Sequence, residues 1–116
     1  MAKTYFGFAV ADSMFVPTCV VRRRPLAAEQ VKTMLDGDSE IVFSLNPSHE
    51  ATISAACTRF GFRIEVPATA PKVVLTSGDR CVVMSVRGLP RLAVPREYTP
   101  QEIEGAGFDF GEWVVD

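Results

Sequence analysis

Apolar side chains in "SHEATISAACTRFG" recur at Ile53, Ala56, Cys57 and Phe60, the i, i+3, i+4, i+7 spacing of an amphipathic helix. The spacing predicts a helix within 46–61. Asn46 or Ser48 is its cap, Pro47 suits its first turn and Gly61 is its stop. "LAAEQVKTMLDGD", 26–38, repeats the period, with Leu26, Val31, Met34 and Leu35 toward a core and Gly37 at its end. Shorter β-type runs read as strands: "TYFGFAV" (4–10), "TCVVRRR" (18–24, closed by Pro25) and "EIVFSL" (40–45). In "PKVVLTSGDRCVVMSVRG", 71–88, two β-branched runs flank "TSGD", where Gly78 offers a positive φ. That pattern predicts a hairpin. "TPQEIEGAG" predicts a short helix, with Thr99 as cap, Pro100 at its first position and Gly105 at its end. "FDFGEWVVD" predicts a final strand.

Strands interspersed with three helices imply an α/β fold, a mixed β-sheet flanked by helices. No repeat, low-complexity tract or linker divides residues 1–116, so a single domain is expected. The hairpin argues against a wholly parallel sheet. Phe6, Phe8, Phe15, Phe108, Phe110 and Trp113 are many large rings for a core of this size, and a homodimer interface would absorb some of them.

Composition narrows the function classes. At 116 residues and 47% hydrophobic content, the chain suffices for one core and not two. A net charge of −2 argues against wrapping long DNA or RNA, but leaves room for a small anion held by a few arginines. Cys19, Cys57 and Cys81 lie far apart in apolar surroundings and read as reduced thiols of a cytoplasmic protein. The opening "MAKTYFGFAVADS" lacks the pattern of a signal peptide, and no apolar run approaches the roughly 20 residues that cross a bilayer. A soluble protein without a membrane partner is expected.

Candidate chemistry is sparse. One histidine, no C-x-x-C and no tight acidic cluster predict no metal site. Neither "TSGD" nor "EGAGFDFG" has the spacing of a nucleotide-binding glycine loop, so no cofactor is expected. What remains is His49 and a set of arginines. Together they suffice for cleaving RNA by its own 2′-hydroxyl, which needs in-line alignment, a cation on the phosphorane and an acid for the 5′-oxygen. Plainer readings stand beside this one. A first-turn histidine is commonly a surface or capping residue. "RRR" at 22–24 reads as a sheet-edge guard, Arg87 and Arg91 as rim charges, and Tyr5 as core.

"SHEATISAACTRFG" resembles the signature of the viral ring-nuclease family, small type III anti-CRISPR proteins that degrade cyclic tetra-adenylate, which also has cellular homologues. His49, Glu50, Thr52 and Gly61 match its His-acid-x-Thr element and the glycine that ends its helix. "AKTYFGFAVADSMF" is similar to the family's opening strand and loop, and "LTSGDRCVVMSVRGLPRL" to its hairpin with an Arg-Leu step. "TPQEIEGAGFDFGEWVVD" is similar to its last helix and strand. The resemblance implies a two-fold homodimer around a mixed sheet, with a cyclic oligoadenylate across the axis. It further implies metal-independent cleavage with His49 as general acid and an arginine stabilising the phosphate. The Arg-Leu step favours Arg91; distance from the turn keeps Arg87 in play. For a virus-encoded member, the place of action is the host cytoplasm.

The binding shell departs from the family. Its first loop offers Asn and Ser, where this chain has Phe8 and Ala11 beside Asp12 and Ser13. Its Asn-Arg before the hairpin is Thr69-Ala70 here, with Lys72 the nearest cation. Asp12, Ser13, Lys72, Glu50 and Thr52 are the candidate ligand-binding residues. Three readings follow: a ring nuclease that ends type III CRISPR signalling, a sponge that binds a cyclic nucleotide without cutting it, and a protein-interaction module on the same fold.

Overall fold

The computed structural model describes residues 2–37 and 40–116. Five strands, β1 (Thr4–Gly7), β2 (Val21–Leu26), β3 (Val42–Ser44), β4 (Arg80–Arg87) and β5 (Gly107–Val115), form one sheet in the order β2-β5-β4-β1-β3. Three helices accompany it: α1 (Ala28–Gly37), α2 (Glu50–Phe60) and α3 (Pro100–Gly105). β1 runs parallel to β3 and β4, whereas β5 is antiparallel to β2 and β4. The sheet is mixed, as expected.

Alternation along the strands divides the interior into two cores. Phe6, Val82, Met84 and Phe110 point to one face and pack with Val31 and Leu35 of α1, Ile53 and Ala56 of α2, and Leu45 and Phe62. Tyr5, Cys81 and Val115 point to the other, where Val73, Leu75, Met14 and Phe15 from irregular segments cover them. Each fully buried large side chain contributes about 1.5–3 kcal/mol.

Several expected boundaries shift. β1 stops at Gly7 rather than Val10, and β2 begins at Val21 rather than Thr18. Pro25 does not close β2; it pairs opposite Gly111 within the strand. An edge strand tolerates a residue without an N–H, and β2 is an edge. α1 begins at Ala28, so Leu26 reaches the core from β2 instead. That helix ends at Gly37, as expected. The strand expected over 40–45 shortens to β3.

The predicted hairpin does not form. The turn is there, with Gly78 at φ +89, but only its second arm, β4, is a strand. β4 has β1 on one edge and β5 on the other, so no edge is free for residues 71–75. Those residues cross to the second face instead, where Leu75 bridges to Phe15. Asp79 fixes this path. Its carboxylate accepts from the Lys3 N–H (2.8 Å), the Thr76 N–H (2.9 Å) and the Thr76 hydroxyl (3.0 Å).

The surplus of aromatic rings is absorbed within the chain. Phe60, Phe62, Phe108 and Phe110 contact one another with centroids 5.1–5.6 Å apart. Phe15 covers the second core, and Trp113 lies beneath the Arg23 guanidinium. The rings alone therefore do not call for a dimer. Among the described residues, no helix is long and apolar enough to cross a membrane.

Candidate functional site

The three parallel strands end at one edge of the sheet, at Gly7, Ser44 and Arg87. In open α/β sheets, ligands bind in the crevice outside the carboxyl ends of such strands. Gly7 is level with Ser44 on one side and Val83 on the other, so Arg87 projects about 13 Å further along β4. Gly7 is also a close approach: a Cβ there would lie 3.1 Å from the Ser44 carbonyl oxygen.

From β3 the chain enters a 3-10 turn, Pro47–His49, organised by Asn46. The Asn46 side-chain oxygen accepts from the Ser48 N–H (2.9 Å), and its carbonyl accepts from the His49 N–H (2.9 Å). Asn46, not Ser48, caps this turn, whereas the N-cap position of α2 itself falls on His49. His49 occupies the junction with α2 at φ −98, ψ 16, and its imidazole makes no capping hydrogen bond. The ring is exposed and meets Phe8, the residue after β1, with centroids 5.1 Å apart and planes at 70°. At the far end of α2, Gly61 takes φ +70 and donates its N–H to the Cys57 carbonyl (2.9 Å).

The loop 88–98, leaving β4, forms the opposite wall. Gly88 adopts φ +81 with the Gly105 carbonyl oxygen 3.5 Å from where a Cβ would lie. Arg96 ties the loop down through two bonds to the Glu102 carboxylate (2.7 and 2.9 Å), and the Tyr98 hydroxyl donates to the Pro90 carbonyl (2.9 Å). Glu102 also completes the capping box of α3 with Thr99. The Arg96 guanidinium first, and the Thr99 N–H second, lower the Glu102 carboxyl to about 2.

Between these walls lies a groove of about 730 Å³, lined from one side by Pro47, Ser48, Glu50, Ala51 and Ser54 and from the other by Leu92, Ala93, Pro95, Arg96 and Glu97. That volume is within the range of small-molecule sites. His49 stands between two lining residues, Ser48 and Glu50, and Arg91 directly precedes Leu92. Arg87 is exposed and ion-paired with Asp109, its guanidinium lying over Gly107. Thr52 is half-buried and does not line the groove.

Asp12, Ser13 and Lys72 belong elsewhere. Asp12 and Ser13 form a 3-10 turn, Asp12–Met14, and the Met14 carbonyl accepts from the Leu75 N–H (2.6 Å). This brings the first loop beside the Lys72 segment over the second core, and none of the three lines the groove. Conversely, Arg96, Glu97 and Ser54 were not singled out in the sequence. The T-x-x-E of "TPQE" was the available signal, because its Glu102 fixes Arg96.

A second concavity, about 370 Å³, is lined by Arg22, Arg23, Arg24, Glu112 and Val114. Apart from Arg23, which lies over Trp113, its charges are answered within the chain. Buried Glu112 pairs with Arg24 (2.6 Å) and Arg80 (3.5 Å), and Arg22 with Asp116 (2.9 Å). That fits the reading of "RRR" as a guarded sheet edge.

No protein-family model matches the sequence, and no curated protein does. Among solved structures, the chain is similar to B116 of Sulfolobus turreted icosahedral virus, with a TM-score of 0.70 over 97% of this chain and 99% of that one. At 18% identity, the likeness is one of fold: this chain has the fold of a viral protein.

Proposed function

We propose that the protein is a metal-independent ring nuclease acting on a cyclic oligoadenylate, with cyclic tetra-adenylate as the ligand the resemblance favours. The observation that carries this reading is the placement of His49. It stands exposed at the carboxyl edge of parallel strands, between two residues that line a groove whose other wall is the loop carrying Arg91. The fold likeness to a viral protein over nearly the whole of both chains is consistent with it.

In this mechanism a ribose 2′-hydroxyl attacks the adjacent phosphorus. The P–O bond to the 5′-oxygen breaks, His49 delivers a proton to that oxygen, and the attacking hydroxyl gives its proton to solvent. The product is a linear chain ending in a 2′,3′-cyclic phosphate, and no water is consumed. Arg91 answers the phosphorane charge. Arg87 is the weaker candidate, because Asp109 already engages it. The groove suits the nucleoside rather than the phosphate: Glu50 and Glu97 accept hydrogen bonds from hydroxyl and amino groups, and Arg96 is taken up by Glu102. A homodimer that completes the site from both subunits belongs to the same proposal.

The test is incubation with cyclic tetra-adenylate in excess EDTA, beside His49→Ala, with products separated by chromatography. Loss of the acid is expected to lower the rate by about 10²–10⁴-fold while binding persists. A variant that cleaves at the parental rate overturns the assignment. Tight binding with the ring recovered intact identifies a sponge, and absence of both binding and a melting shift points to a protein partner.

A further inference from the structure

His49 differs from most histidines that do acid–base work in how it is held. Such rings are commonly fixed by a hydrogen bond to one nitrogen, which sets both orientation and tautomer. Here the imidazole makes no capping hydrogen bond, and an aromatic edge contact with Phe8 orients it. Phe8 is itself anchored. It is half-buried, follows the tightly packed Gly7, and packs against the main core with Phe43 and Leu45 as fellow members. Backbone placement from β3 and ring placement from β1 thus converge on one side chain.

Resting on the nuclease reading above, we infer that Phe8 is the positioning residue for His49, setting the ring so that a nitrogen addresses the leaving 5′-oxygen. The geometry gives the reason. With its centroid 5.1 Å away at 70°, Phe8 blocks one side of the imidazole and limits its rotation about the Cβ–Cγ bond. An aromatic ring also leaves both nitrogens free, one for the substrate and one for solvent to reprotonate. A hydrogen-bonding partner would have occupied one of them.

The single histidine makes the test direct, since the imidazole Cε1–H and Cδ2–H each give one NMR resonance in the full-length protein. In the parent, the Phe8 ring current displaces these resonances from free-imidazole positions. Phe8→Leu keeps an apolar side chain and is expected to return them. With cyclic tetra-adenylate, it is expected to lower kcat about 10²-fold with KM within about twofold. Phe8→Tyr restores both ring current and turnover. Phe108→Leu, a ring loss in the aromatic cluster away from His49, controls for stability: it lowers Tm and leaves the resonances in place. Unmoved His49 resonances in Phe8→Leu overturn the inference, as does unchanged kcat after they move. If the parent does not cleave although the resonances respond to Phe8→Leu, the nuclease reading fails while the ring contact stands.

Discussion

The Asp79 carboxylate accepts hydrogen bonds from two segments, the amide of Lys3 and the amide and hydroxyl of Thr76, and so determines where the chain goes before β4. Burial pushes this carboxyl up, but the Thr76 and Lys3 N–H groups, the Thr76 hydroxyl and the Lys3 charge outweigh it and leave it below the usual value. A carboxyl depressed on folding adds stability above its unfolded pKa, and that stability drains away as pH falls through the folded value. Urea titrations are expected to show this loss beginning below about pH 4. Asp79→Asn, which replaces an acceptor facing Thr76 with a donor, is expected to cost about 1–3 kcal/mol at pH 7 and to flatten the acid limb. An unchanged acid limb in the variant would show that other carboxylates govern it. Glu102 follows the same sign. Its tie to Arg96 is expected to hold at neutral pH and to weaken as the pH drops toward about 2.

Elements whose signals are local were legible in the sequence. The capping box of α3, the periodic face and Gly61 stop of α2, and the apolar β4 and β5 all lie where the pattern put them. The hairpin failed because whether residues 71–75 pair with β4 depends on β1 and β5, which lie far away in sequence. Likewise, His49 was legible as a helix-mouth residue, but its contact with Phe8 and the groove wall supplied by Arg96 require knowing that β1, β3 and β4 end side by side. The segments carrying Asp12, Ser13 and Lys72 meet through Met14 and Leu75, and none of the three lines the groove. Gly7 carries the tightest constraint between these elements. Gly7→Ala forces a Cβ against the Ser44 carbonyl, and overpacking of that kind costs about 1–3 kcal/mol. Since it wedges β1 from β3, turnover is expected to fall more than stability alone explains, as kinetics beside a denaturant melt would show. Equal losses in both would confine Gly7 to packing. Thr99→Ala is expected to cost about 1 kcal/mol, read in the same melts, by opening the cap that also steadies Glu102.

At the scale of the whole molecule, the first strand is an interior strand of the sheet. β1 lies between β3 and β4, and Thr4 meets Arg80, 76 positions away in the chain. Pairings over such distances fold slowly, because loop-closure entropy is spent before contacts repay it. Stopped-flow refolding is expected in the millisecond-to-second range. The lesson extends to synthesis. As the chain leaves the ribosome, residues 4–7 wait for their second partner while only β3, a three-residue match, can accompany them. Until β5 emerges, the apolar row of Val82 and Met84 has one strand neighbour at most. Nascent chains arrested before residue 107 are therefore expected to be open to proteases and holding chaperones.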